Sequence, residues 1–105
     1  MTKISFDELP EFTKKVNSVL GDDDELMELQ MALVGNPEQG VVIPGTQGLR
    51  KLRWASSGKG KRGGARVIYY YWVNNSLITL CEIYKKTDKV DLDKKKYKAI
   101  RAALE

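Results

Sequence analysis

Lys51 and Arg53 stand two residues apart in a stretch where polar and apolar side chains alternate. On a β-strand, residues at that spacing share a face, so both cations project from one side. Arg66 opens the next strand-like run, and Tyr84-Lys85-Lys86 closes the run after it. Lysine, arginine and tyrosine gathered on one sheet face suit a phosphodiester. Cations hold the phosphate and stabilise the extra negative charge of its transition state. A crowded cationic site also favours a lysine able to act as a base near neutral pH. Attack by a 2′-hydroxyl would confine the chemistry to RNA, and aromatic rings can stack on exposed bases.

Each of these residues has a plainer reading. Lys51 and Arg53 also fit the solvated face of a half-buried strand. Arg66 also fits an edge charge that discourages aggregation. Tyr69, Tyr70, Tyr71 and Trp72 suit core and interface better than a stacking platform. Cys81 reads as a small buried hydrophobe. Asp22-Asp23-Asp24-Glu25 fits a helix start better than a metal site. Ser57-Gly58-Lys59-Gly60-Lys61 superficially suggests a phosphate loop, but a strand follows it instead of a helix, which argues against nucleotide binding.

Composition narrows the chemistry. The chain has 105 residues, one cysteine and no histidine. That length suits a single domain over 1–105 with one core. No internal disulfide is possible, and a structural zinc site, which takes four Cys or His ligands, is nearly excluded. Serine or cysteine nucleophiles activated by imidazole are excluded as well. Catalysis is left to Lys, Arg, Tyr, Asp or Glu, with no metal or cofactor expected. No apolar run approaches the ~18 residues of a membrane span. The first eight residues carry Asp7 and Glu8 where a signal peptide needs apolar sequence, so a cytoplasmic location is expected.

The net charge of +4 conceals a division. Residues 1–40 hold three basic and nine acidic side chains, and residues 41–105 hold fifteen basic and five acidic ones. From Arg50 to Arg66 there are seven cations (Arg50, Lys51, Arg53, Lys59, Lys61, Arg62 and Arg66) and no acid. A single-sign block attracts phosphate backbones. Arg50, Lys59, Lys61, Arg62 and Lys85 are the candidates for holding RNA around the reacting phosphate.

The elements that must position these residues follow from periodicity and punctuation. Ile4 and Phe6 alternate with polar neighbours in a short first strand near 2–8. Pro10 opens a helix that carries Phe12, Val16, Val19 and Leu20 up to Gly21. Asp22 with Glu25 three residues on makes a capping-box start for a second helix. Its apolar face is Leu26, Leu29, Leu33 and Val34, and Gly35-Asn36-Pro37 ends it. A brief extended piece at 41–43 precedes a turn. Runs 49–55, 65–73 and 77–84 read as a three-strand antiparallel meander. Asn74-Asn75-Ser76 supplies its second turn. A last helix fits 91–104, with Leu92, Tyr97, Ile100 and Leu104 on one face. The order is β-α-α-β-β-β-α. The expected class is α+β: a compact domain with a twisted antiparallel sheet of about four strands. Two N-terminal helices and a C-terminal helix pack on it, with the helices covering one face. The first strand is expected at a sheet edge.

Three segments resemble a known family. They are Gly48-Leu49-Arg50-Lys51-Leu52-Arg53-Trp54, then Gly58-Lys59-Gly60-Lys61-Arg62-Gly63-Gly64-Ala65-Arg66-Val67-Ile68-Tyr69-Tyr70, then Ile83-Tyr84-Lys85-Lys86 before a basic helix. Together they resemble the HigB branch of the RelE-like toxins over roughly residues 22–104. The resemblance implies a RelE-like α+β domain that cleaves mRNA in the ribosomal A site. It implies attack by the 2′-hydroxyl, leaving a cyclic phosphate. It implies catalytic roles for Lys51, Arg53, Arg66 and Lys86, with Arg53 where RelE itself usually has lysine. RelE's functional C-terminal tyrosine has no counterpart in Lys89-Val90-Asp91-Leu92, and Tyr84 is the nearest substitute. The implied partners are a helix-turn-helix antitoxin, the ribosome and mRNA. Two other readings stay open. One is a gyrase poison like the ParE toxins, which share the fold. The other is a non-catalytic relative that binds RNA or antitoxin.

Overall fold

The computed structural model describes residues 3–55, 64–88 and 91–105. Strand β1 spans Ser5–Glu8 and helix α1 spans Pro10–Leu20. Helix α2 covers Asp23–Gly35, and a two-residue strand β2 follows at Val41–Val42. Strands β3 (Arg50–Trp54), β4 (Ala65–Trp72) and β5 (Leu77–Lys85) form the meander, and helix α3 (Lys94–Ala103) ends the chain.

The local reasons match the residues. Pro10 takes the first helical position of α1, where its missing N–H costs nothing. The Asp22 carboxylate caps α2 by accepting the Glu25 amide at 2.9 Å. Asp93 caps α3 in the same way, accepting the Lys96 amide at 2.8 Å. Acids fill the first turn of α2, where the helix dipole favours them.

The sheet has five strands in the order β1-β5-β4-β3-β2. β1 lies at an edge, as expected, but it runs parallel to β5, so the sheet is mixed rather than purely antiparallel. The fifth strand is the brief piece at Val41–Val42, which pairs with Arg50 and Lys51 at the other edge. The turn between β4 and β5 is a 3₁₀ segment, Val73–Asn75, and Ser76 at φ 50° turns the chain into β5.

Two apolar layers sandwich the sheet. One face packs Leu52, Val67, Tyr69, Ile78, Leu80 and Ile83 against Phe12, Val16 and Leu20 of α1 and Leu29 and Leu33 of α2. On the other, Leu49, Ile68, Cys81 and Tyr84 pack against Leu92, Tyr97 and Ile100. The helices therefore cover both faces: α1 and α2 one, α3 the other. Fully burying one such large side chain stabilises the fold by roughly 1.5–3 kcal/mol. Of the expected α2 face, Leu29 and Leu33 are fully buried, but Val34 is exposed, along with Met27 and Met31 on the outer side.

Two details fix the strands around the site. Gly64, at φ 56°, precedes β4, and a Cβ there would lie 2.2 Å from the Trp54 carbonyl oxygen. Only glycine allows β3 and β4 to approach so closely at this end. In β5 a bulge between the partners of Ile68 and Tyr69 accommodates Cys81 as an extra residue. It re-aims the strand ahead of Glu82 and Tyr84.

Candidate active site

The register brings three expected residues together. Arg53 pairs with Arg66 across β3 and β4, and Arg66 pairs with Tyr84 across β4 and β5. Directly opposed residues in antiparallel strands share a face, with Cβ atoms about 4.5–5.5 Å apart. Arg53, Arg66 and Tyr84 thus form one row across three strands. Lys51 lies two residues along β3 on the same face, opposite Ile68, which is itself opposite Glu82. This is the face that α3 covers in part. Opposed like charges destabilise a sheet, and the Arg53–Arg66 pairing suits an anion placed between them.

Depth differs along the row. Arg53 is exposed, whereas Arg66 and Tyr84 are only 7% and 5% exposed and form the floor. An Arg66 guanidinium N–H donates to the Ala65 carbonyl at 3.5 Å. Burial pushes the Tyr84 hydroxyl above its ordinary pKa, and the Asp91 charge adds to that, with Arg66 opposing it.

Lys51 leads to residues that the sequence did not single out. Its ammonium donates to Asp91 Oδ1 at 3.1 Å. The Tyr97 hydroxyl donates a hydrogen bond to the same oxygen. That bond, then Lys51, holds the Asp91 carboxyl below its usual range. Tyr97 is shifted the other way, upward, first by burial and then by the carboxylate it serves. Asp91 and Tyr97 therefore fix the position of Lys51. No local pattern announces a pairing across forty residues. The only sequence sign was Tyr97 on the apolar face of the last helix.

Glu82 was likewise missed. It is 1% exposed, with Lys15 of α1 3.1 Å from Oε1 and Lys96 of α3 3.3 Å from Oε2. A carboxylate buried this deeply needs such partners, and the lysine stems reach it from half-exposed positions. It ties α1 and α3 to β5 beside the row.

The remaining expected residues separate. Lys86 is exposed, and its amide donates to the Gly64 carbonyl at 3.3 Å, one step beyond the last paired residues. It stands two residues past Tyr84, beyond the end of β5. Lys85 is exposed opposite Ala65, on the alternate side of the strand. Arg50 lies on the face opposite Lys51, where its guanidinium donates to the Gly40 carbonyl at 2.7 Å and the Glu38 carbonyl at 2.9 Å. It braces the connection after α2. Lys59, Lys61 and Arg62 lie outside the described residues. Cys81 is buried, and burial pushes its thiol up to about 12. Tyr69 is fully buried, donating to the Pro37 carbonyl at 2.7 Å and accepting from the Gly40 amide at 2.9 Å.

No family model matches the chain. Among solved structures, the fold is similar to that of the E. coli toxin RelE, in a double arginine-to-alanine mutant in the free state. The TM-score is 0.61 and the identity 14%, over 98% of each chain. Agreement over the whole length of both chains shows that this protein adopts the RelE-like α+β fold.

Proposed function

We propose that this protein is the toxin of a toxin–antitoxin pair and cuts mRNA on the ribosome. The observation that carries the reading is the row Arg53–Arg66–Tyr84 with Lys51 beside it on one sheet face. In this reading Lys51 and Arg53 grip the scissile phosphate from the solvent side, and Arg66 supplies positive charge from below. The 2′-oxygen attacks phosphorus and gives up its proton to solvent, while the bond to the 5′-oxygen breaks and that oxygen takes up a proton. The products are a 2′,3′-cyclic phosphate and a 5′-hydroxyl. The cations act on the charge that the pentacoordinate phosphorus gathers. Tyr84, a phenol whose pKa burial raises further above its ordinary value of 10.0, is suited to give a proton rather than take one. Lys86, two residues past Tyr84 in the chain, is the second candidate for proton transfer. Asp91 and Tyr97 keep Lys51 aimed.

The reading carries partners with it: the ribosomal A site and its message as substrate, and a neutralising antitoxin of the helix-turn-helix type, as in the HigB branch. A gyrase poison on the same fold needs no cationic row on this face. The test is primer extension on mRNA after induction in growing cells. Cuts phased to codons, appearing only during translation, support the nuclease. DNA damage without cuts in mRNA rejects it, and undisturbed growth points to a non-catalytic relative.

A further inference from the structure

Two grooves flank α3, and their charges are opposite. One lies between α3 and α1, has a volume of about 510 Å³ and reaches Tyr84 of the row. Its acids are Glu82 and Asp91, paired with lysines, and Asp88 and Asp93, which leave it net negative. The other lies between α3 and the turn at 44–47 and has a volume of about 630 Å³. Its charged wall is Lys94, Lys98 and Arg101, with one acid, Glu105. Glu105 already faces Arg101 at 3.5 Å. A polyanion leaving the row on the sheet therefore meets repulsion on one side of α3 and attraction on the other. At separations within a Debye length of about 8–10 Å that contrast is not screened away.

We propose that the second groove seats a nucleotide of the flanking RNA, beyond the two that the cut bond joins. The inference rests on the nuclease reading above and extends it to the flanking RNA. Continuity supports it: Tyr97 lines this groove and also bonds to Asp91, which holds Lys51. Through Tyr97 and Asp91 the groove is linked to the ammonium of Lys51. Shape supports it too. Pro44 and Ala102 are exposed and give the groove an apolar lining that a base can cover. Its volume falls in the range of small-ligand sites, roughly 300–1,000 Å³. Exposed Lys94 and Lys98 stand along the helix where a phosphate would follow.

The groove is also built in advance. Arg101 lies over the Tyr70 ring at 5.0 Å and donates to the Gln47 carbonyl at 3.4 Å, bridging the two walls. The turn is closed by the Thr46 hydroxyl, which donates to the Ile43 carbonyl at 2.6 Å. A site held this way loses little freedom when it binds.

The experiment uses the whole chain and two uncleavable probes, a 2′-O-methyl RNA dinucleotide and a tetranucleotide, followed by NMR titration. Lys98→Glu and Ala102→Glu alter only the groove, and Arg53→Ala alters the row. The expected result is that both groove variants weaken the tetranucleotide about tenfold or more and leave the dinucleotide unchanged. Arg53→Ala weakens both probes. Unchanged tetranucleotide affinity in the groove variants, with Arg53→Ala still weakening both probes, overturns the groove alone. Wild-type affinity of Arg53→Ala for both probes overturns the nuclease reading and the groove with it.

Discussion

On the proposed nuclease reading, Arg53→Ala should separate cleavage from folding. Arg53 is exposed and stands directly opposite Arg66. Removing it gives up little packing and relieves a like-charge opposition. The fold should change by no more than about 0.5 kcal/mol in either direction. The effect on cleavage is larger. Removing one preorganised group aimed at transition-state charge costs about 2.7–4 kcal/mol in a dry site. Water reaches Arg53, so roughly 1.4–2.7 kcal/mol is the fitting figure, which is a tenfold to hundredfold loss of rate. Single-turnover cleavage on ribosomes carrying a defined A-site codon gives the rate, and urea unfolding gives the stability. Arg53→Lys keeps the charge without the planar fork and should lose less than the alanine variant. Cleavage within twofold of wild type refutes the reasoning. So does a stability loss above about 1.5 kcal/mol that accounts for the missing activity.

Other expectations follow from particular contacts. Tyr97→Phe removes the donor that holds Asp91 and should cost about 1 kcal/mol at pH 7, the low end for a hydrogen bond to a charged group that is half exposed. Because the Asp91 pKa is lowered on folding, its contribution is full above the ordinary value of 3.8 and disappears as pH falls through the folded value. Wild type and variant should therefore converge in urea titrations as pH falls from 3.8 through that lower folded value. Gly40→Ala would place a Cβ 2.7 Å from the Tyr69 ring and should lower stability by about 1–3 kcal/mol in the same assay, because Tyr69 is fully buried and cannot move aside. Cys81 should resist iodoacetamide at pH 8 in the folded protein and react in denaturant, since burial both hides its thiol and raises its pKa to about 12.

The local elements were legible because their signals are local. Pro10, the Asp22–Glu25 cap and the alternation around Lys51 and Arg53 each act within a few residues, and each stands where its chemistry directs. The row itself was half legible. Alternation puts Lys51 and Arg53 on one face, but only the register of β3 on β4 sets Arg53 opposite Arg66. Arg50 illustrates the limit. It lies in the same cationic run, yet the two-residue period turns it to the other face, where it braces the backbone at Glu38 and Gly40. Asp91, Tyr97 and Glu82 were not legible as site residues. Their partners are distant in sequence, and a lone acid or tyrosine carries no sign of what it will meet. The parallel pairing of β1 was hidden for a related reason, because strand direction depends on the path through α1 and α2 rather than on the strand's own residues.

The claim that a ribonucleotide phosphodiester is gripped on this sheet face and cut by its own 2′-hydroxyl can be tested on one substrate. The measurement is single-turnover cleavage of a ribosome-bound message carrying a 2′-deoxy sugar at the cut nucleotide, beside the all-ribose message. The account predicts that the ribose message is cut to a cyclic phosphate end while the deoxy message stays intact. Equal cutting of the two, or no cutting of either by the folded protein, would contradict it.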